Sequence, residues 1–192
     1  PDTLQVRVAE RVPMAQIWAW QRDGAGETDY DCVRLQLDET GHVMTPIDGH
    51  SVVAPEDQAE WSLPVVSGIN LGKLKTLAPG RPAGLPKLRA ALGLIGEFRR
   101  SPLSGTVDLR VIDLSQPRIL RVTTGDGGQV DLSTERLPRQ FNRWAGIQAH
   151  GQKFGLAIET VDLSVTNNVP VRWMLSPTLA EDLRSGRKVA RK

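Results

Sequence analysis

Apolar and polar residues alternate along Leu4-Gln5-Val6-Arg7-Val8, the period of a strand with one buried face. Pro13 interrupts that run, and extended structure resumes over Ala15-Gln16-Ile17-Trp18-Ala19-Trp20. The polar, glycine-containing stretch from Arg22 to Asp31 separates it from a further strand, Val33 to Leu37, and reads as a linker or a hairpin loop. Asp38 to Gly41 make a turn, Val43 opens a short extended piece, and Pro46 to Glu60 are irregular and polar. Trp61 to Val66 form an apolar run that stops at Ser67-Gly68, and Pro79 to Pro86 a loop rich in proline and glycine.

The period then changes. Leu85, Leu88, Leu92 and Ile95 fall on one face of a helix. Pro86 suits its first turn, Pro102 lies just past its end, and Arg99 and Arg100 complement the dipole of the last turn. Val107 to Val111 alternates strictly, Ile119 to Val122 follows, and Gly125-Asp126-Gly127-Gly128 turns the chain tightly into Val130-Asp131-Leu132. Leu137, Phe141, Trp144 and Ile147 mark a second helix, with Pro138 tolerated in its first turn. Val161, Leu163 and Val165 share one face of a strand, and Val169, Val171 and Trp173 one face of the next. Asn167-Asn168 between them suits a two-residue hairpin loop, because Asn tolerates positive φ. The predicted fold is α+β, a mixed or antiparallel sheet with helices packed on one side.

With 40% of its 192 residues hydrophobic, the chain can bury one core, or a medium domain plus a fragment of another. Thirteen prolines and eighteen glycines imply many turns, which favours a β-rich chain over a helical bundle. A net charge of +2 is too small to indicate nucleic acid. The basic excess lies in Arg184 to Lys192, which holds five basic residues and no acid. That stretch reads as a solvated, mobile C-terminus, with an anchor to anionic lipid or nucleic acid as the sharper alternative. Cys32 is the single cysteine, so no internal disulfide forms, and its strand setting predicts a buried thiol. No run reaches the ~18 apolar residues of a membrane span. The chain opens at Pro1 inside a strand-like run, and is expected to be a fragment or processed product.

Catalytic signatures are missing. No HExxH, CxxC, GxSxG or P-loop occurs. Gly125 to Gly128 lacks the following Lys-Ser/Thr of a phosphate loop and leads into a strand. Thr160 to Ser164 sets an acid near a hydroxyl, on alternating strand positions with no histidine nearby. His42, His50 and His150 are unclustered, which weighs against a metal site. No catalytic residue, metal or cofactor is expected, and no nucleic-acid partner.

Several segments, taken in order, resemble the FtsQ/DivIB family of bacterial cell division proteins. Pro1 to Ala15 is similar to the close of the family's POTRA domain, where a strand ending in an acid, a proline and a small residue hands over to the β domain. Leu63-Pro64-Val65-Val66-Ser67-Gly68 resembles its "LPxLxG" segment, Val107 to Leu132 the following strand pair, and Leu137 to Phe141 the next helix. Val161-Asp162-Leu163 resembles the family's "VDLR" strand, and Val169 to Trp173 its last strand. The resemblance divides the chain into the end of a POTRA domain over residues 1–21, a β domain over 22–177 and a basic tail over 178–192. It places a single membrane helix and most of the POTRA domain before Pro1, and this region on the periplasmic side of the inner membrane at the division septum.

The resemblance further implies a non-enzymatic scaffold that binds FtsB-like and FtsL-like proteins, and through them influences the septal peptidoglycan synthase. In the family, the partner adds a strand to the last strand of the β domain. Carried over, the partner-binding residues are Ser164, Val165, Asn167, Asn168, Pro170, Arg172, Trp173 and Met174. Ser164 stands where the family usually has arginine, and Val165 where it often has tyrosine, so the side-chain contacts depart from the family pattern. Main-chain pairing depends less on those identities.

A two-residue loop at Asn167-Asn168 fixes a ladder. Thr166 and Val169 become the hydrogen-bonded pair next to the turn, and Val165 and Pro170 the following non-bonded pair. The main-chain groups of Pro170, Arg172 and Met174 then point away from the hairpin, at a sheet edge where a proline is tolerated. That edge is either a docking edge or one that Pro170 and Arg172 blunt. Trp173 is a core residue, a contact residue, or both. The rival readings are another POTRA-bearing envelope assembly factor, an α+β enzyme with clustered perturbed groups in a cleft, and a nucleic-acid binder using the arginine-rich tail.

Overall fold

The alternating runs pair with one another, and two apolar helix stripes cover the face that the sheet buries. The structure, a computed structural model, describes residues 11–22, 30–44, 63–69 and 80–185. Among these, the strands are β1 (Pro13–Arg22), β2 (Tyr30–Asp38), β3 (Val43–Met44), β4 (Val65–Ser67), β5 (Leu109–Asp113), β6 (Ile119–Thr124), β7 (Gln129–Ser133), β8 (Leu156–Asp162) and β9 (Val171–Leu175). The helices are α1 (Pro86–Arg99), α2 (Leu137–Lys153) and α3 (Pro177–Arg184). The strands form one mixed sheet in the order β3-β2-β1-β4-β5-β6-β7-β8-β9. The pairs β1–β4, β4–β5 and β7–β8 are parallel. Parallel neighbours need a crossover, and α1 and α2 supply it between β4 and β5 and between β7 and β8.

The predicted α1 stripe is the buried one: Leu88, Leu92 and Ile95 are sequestered together with Ala91, Leu94 and Phe98. On α2, Leu137, Phe141 and Trp144 are buried as their spacing predicts, whereas Ile147 stays half-exposed. Phe98 meets Phe141 edge-on at 5.8 Å and Trp144 at 6.0 Å, which joins the two helices over the sheet. Leu120 and Val122 on β6 and Val130 and Leu132 on β7 supply the sheet side of that core. The opposite face carries a cross-strand row, Asp113–Arg121–Asp131–Asp162. Arg121 grips Asp131 with two bonds of 2.8 and 2.9 Å, which raises the guanidinium's pKa and fixes it in the charged form.

β1 pairs antiparallel with β2 through nine registered positions, so the stretch after Arg22 joins a hairpin. The predicted strand Leu4 to Val8, the segment Pro46 to Glu60 and the Cys32 side chain lie outside the described residues. At the other end, Pro177–Arg184 form α3, so the segment assigned to the tail over 178–192 begins as a helix, and residues 186–192 of the basic stretch lie outside the described residues. Ser176 caps it, its Oγ accepting from the Leu179 N–H at 3.3 Å, with Pro177 in the first turn. Leu179 packs against Gly155.

The turn after β2 is organised by the buried carboxylate of Asp38. Its Oδ1 accepts from Thr40 N–H (2.9 Å), Thr40 Oγ1 (2.7 Å) and His42 N–H (2.8 Å), and Arg11 pairs with its Oδ2. Burial opposes ionisation, but the bonds from the Thr40 hydroxyl, the His42 amide, Arg11 and the Thr40 amide outweigh it and bring the pKa down from 3.8 to about 2. A folded-state pKa below the unfolded one gives stability that is complete above pH 3.8 and drains away as pH falls towards 2. Urea titrations of wild type and Asp38→Asn should differ by about 2 kcal/mol at pH 5 and converge near pH 2. A gap that persists unchanged at pH 2 would show that the ionised carboxylate is not what stabilises the turn.

Candidate partner-docking edge

β9 is the last strand of the sheet, and among the described residues no strand pairs with its outer side. Its register with β8 runs Val161↔Val171, Thr160↔Arg172, Ile158↔Trp173, Ala157↔Met174 and Leu156↔Leu175, with an irregularity between Ile158 and Thr160. Glu159 is the extra residue, so the bulge belongs to β8, and β9 alternates without interruption.

This register corrects the predicted hairpin. The connection runs from Leu163 to Pro170 rather than over two residues. Three local choices widen it. Leu163 is buried and donates its N–H to the Asp131 carbonyl of β7 at 2.8 Å. Asp162 Oδ1 then accepts from Ser164 N–H (2.9 Å) and Ser164 Oγ (2.6 Å), a local turn that ends the strand. Arg143 of α2 donates to the Val165 carbonyl at 2.7 Å and holds the loop on the helix. Asn168 does adopt a left-handed backbone, φ 48°, as its residue type suggests, but within a longer loop.

The wider loop moves the pairing by an odd number of residues, which exchanges inward and outward main-chain groups. Asp162 N–H donates to the Pro170 carbonyl at 3.3 Å, and Ser176 N–H to the Gly155 carbonyl at 3.0 Å. Residues 170 and 176 therefore both turn inward, and by alternation so do Arg172 and Met174. The prediction that Pro170, Arg172 and Met174 present outward main-chain groups is overturned. The outward groups belong to Val171, Trp173 and Leu175. Leu175 is also 50% exposed, one of three large apolar side chains left so open among the described residues.

The side chains divide accordingly. Arg172 is exposed and Met174 half-buried. Trp173 packs against α2 so closely that a Cβ at Gly151 would lie 2.4 Å from its Cζ3, yet the indole stays half-exposed. It serves the core and the surface together. Val169, Val171 and Trp173 form one wall of an open apolar groove of about 470 Å³, and Arg143, Ile147 and His150 of α2 line the other side. Ser164 and Val165 lie elsewhere, on a second cavity of about 550 Å³ between the loop and the start of α2. Asn167, Asn168 and Pro170 are exposed in the connection between them.

The second cavity was not foreseen from sequence. Arg118, Arg136, Arg139 and Arg143 all line it, against the single carboxylate of Glu135. Among the described residues none of these four has a carboxylate within ion-pair distance. Arg118 (φ 66°) and Arg136 (φ 53°) are two of three described non-glycine residues with a left-handed backbone. The only linear signal is the i, i+3, i+7 spacing of Arg136, Arg139 and Arg143 along the helix face. Arg118 reaches the cavity only through the fold.

Comparison with known families matches residues 30–164, more than half of the chain, to the family described as cell division protein FtsQ/DivIB, C-terminal. In chain order the match takes in the strands from β2 to β8; it leaves out β1 and stops before β9. No curated protein matches the chain.

Proposed function

The chain belongs to the FtsQ/DivIB family of cell division proteins, and from that premise we propose that it is a non-enzymatic scaffold of the division machinery whose last strand, β9, takes a strand from an FtsB-like partner. The family resemblance supports FtsL-like proteins as part of the same assembly, with influence on septal peptidoglycan synthesis passing through them. It likewise supports a single-pass inner-membrane protein with this region on the periplasmic side at the septum. The observation that carries the reading is the edge itself: β9 ends the sheet, its outward N–H and C=O groups at Val171, Trp173 and Leu175 have no neighbouring strand among the described residues, and an apolar groove runs beside it. The shifted groups Asp38 and Arg121 sit in structural pairs outside both cavities, so neither marks a catalytic cleft.

A soluble FtsB-like segment from the same organism should bind the chain in isothermal titration. Amide exchange should then slow at Val171, Trp173 and Leu175, whereas Arg172 and Met174 are already protected in the free chain. Absence of binding, or protection confined to another edge such as β3, defeats the proposal.

A further inference from the structure

A third cavity, of about 260 Å³, lies between α2, the sheet and the stretch that enters β5, and shares no lining residue with the two described above. Val107, Val130 and Ile158 give it apolar walls, and Trp144 and Gln148 of α2 line it one helical turn apart. Trp144 is 1% exposed, and its indole N–H meets no hydrogen-bond acceptor among the described residues. Its ring packs on Phe98 and Phe141, which offer none. A buried donor without a partner is rare and costly. The cavity is the side from which an acceptor can reach it. The lining also carries two carboxylates. Asp108 Oδ2 pairs with Arg110 at 2.6 Å, and Asp126 Oδ1 accepts from the Thr124 hydroxyl. Both residues are exposed, so they mark the mouth. The Gly125-Asp126-Gly127-Gly128 turn brings them there. A Cβ at Gly125 would lie 2.9 Å from Asp108 Oδ2, and one at Gly128 2.4 Å from the Ile158 carbonyl, so only glycine lets the turn close on both. Two carboxylates against the one guanidinium of Arg110 leave the mouth negative.

We propose that this cavity binds an aminoacyl group: a neutral carbonyl oxygen accepts from the Trp144 N–H, and the neighbouring ammonium sits at the mouth beside Asp108 and Asp126. The inner wall supplies a donor and the mouth a negative charge, so the ligand must present an acceptor inward and a cation outward. A free carboxylate in the carbonyl's place would be buried against apolar walls, which favours an amide or ester over an acid. The volume lies below the roughly 300–1,000 Å³ typical of pockets for drug-sized ligands, so the occupant is about one residue in size. Nothing in this assignment depends on strand addition at β9.

Alaninamide, an ammonium beside a neutral carbonyl, is the probe. In proton–nitrogen spectra of the labelled chain, the Trp144 indole signal is the one of five that disappears in Trp144→Phe. Alaninamide should move that signal downfield, saturably and at millimolar concentration, and leave the other four in place. N-acetylalaninamide keeps the carbonyl and loses the charge, and should bind about tenfold more weakly or worse. Asp126→Asn, an exposed change, should weaken alaninamide several-fold and leave N-acetylalaninamide unaffected. Gln148→Leu puts apolar bulk on the cavity wall at a helical position that favours leucine, and should abolish the shift without lowering the thermal midpoint. Alanylalaninamide separates two sources of the group: binding as tight as alaninamide assigns it to the amino end of a peptide, and lost binding to a free amino-acid derivative. An indole signal that alaninamide does not move means that the cavity holds solvent only, and overturns the proposal. Equal binding of the acetylated probe, or an Asp126→Asn chain that binds like wild type, overturns the ammonium site.

Discussion

Gly68→Ala should destabilise the fold by about 3 kcal/mol, the sum of left-handed backbone strain and a forced close contact. Gly68 follows β4 with φ 75°. A Cβ there would lie 2.1 Å from Asp113 Oδ1 and 2.4 Å from the Ser115 amide nitrogen. Those atoms are already committed. Asp113 Oδ1 accepts from Ser115 N–H at 2.8 Å, and Leu114, itself buried, donates to the Ser67 carbonyl at 3.0 Å. The end of β4 thus seats against the turn that leaves β5, and only a residue without a side chain fits between them. Gly105 is the control: its φ is 80°, but nothing lies within 4 Å of its would-be Cβ. Gly105→Ala should cost only about 1 kcal/mol. Denaturant midpoints of the two variants compare strain alone with strain plus contact. Equal losses would mean that the close approach at Gly68 is not what demands glycine.

Gly68 closes the Leu63-to-Gly68 segment that resembles the family sequence, so a short motif legible in the chain acquires a physical cause: a parallel strand that must end tightly against its neighbour. Periodic features were equally legible. The stripes Leu88-Leu92-Ile95 and Leu137-Phe141-Trp144 needed only their spacing to be assigned to the core. The β8–β9 connection was not legible, because its length is set by groups distant in sequence. Asp131 captures Leu163, and Arg143 captures Val165, neither of which a hairpin rule considers. The Asn-Asn signal was correct about backbone conformation at Asn168 and uninformative about loop length. Ile147 shows a related effect. Its spacing places it on the core face of α2, but that part of the helix overlooks the sheet edge, where a groove replaces packed protein. The arginine cavity assembles residues from the turn before β6 and from α2, and a linear reading has no access to that convergence.

The corrected register separates two proline substitutions that the two-residue loop would have ranked the other way. The Arg172 N–H points to β8, so Arg172→Pro removes a ladder bond opposite Thr160 and leaves its acceptor unpaired. The free chain should lose about 2 kcal/mol and exchange amides faster throughout β8 and β9. The Leu175 N–H points outward, at the end of the strand, and Met174 before it is already extended, as a residue preceding proline prefers to be. Leu175→Pro should therefore leave the denaturation midpoint of the free chain nearly unchanged. It should nonetheless weaken the FtsB-like segment roughly tenfold, through one lost main-chain bond and a lost apolar contact. Circular dichroism melts and isothermal titration of both variants decide between the registers. A stable Arg172→Pro with impaired binding, beside a destabilised Leu175→Pro, would restore the shorter loop and move the docking groups back to Arg172 and Met174.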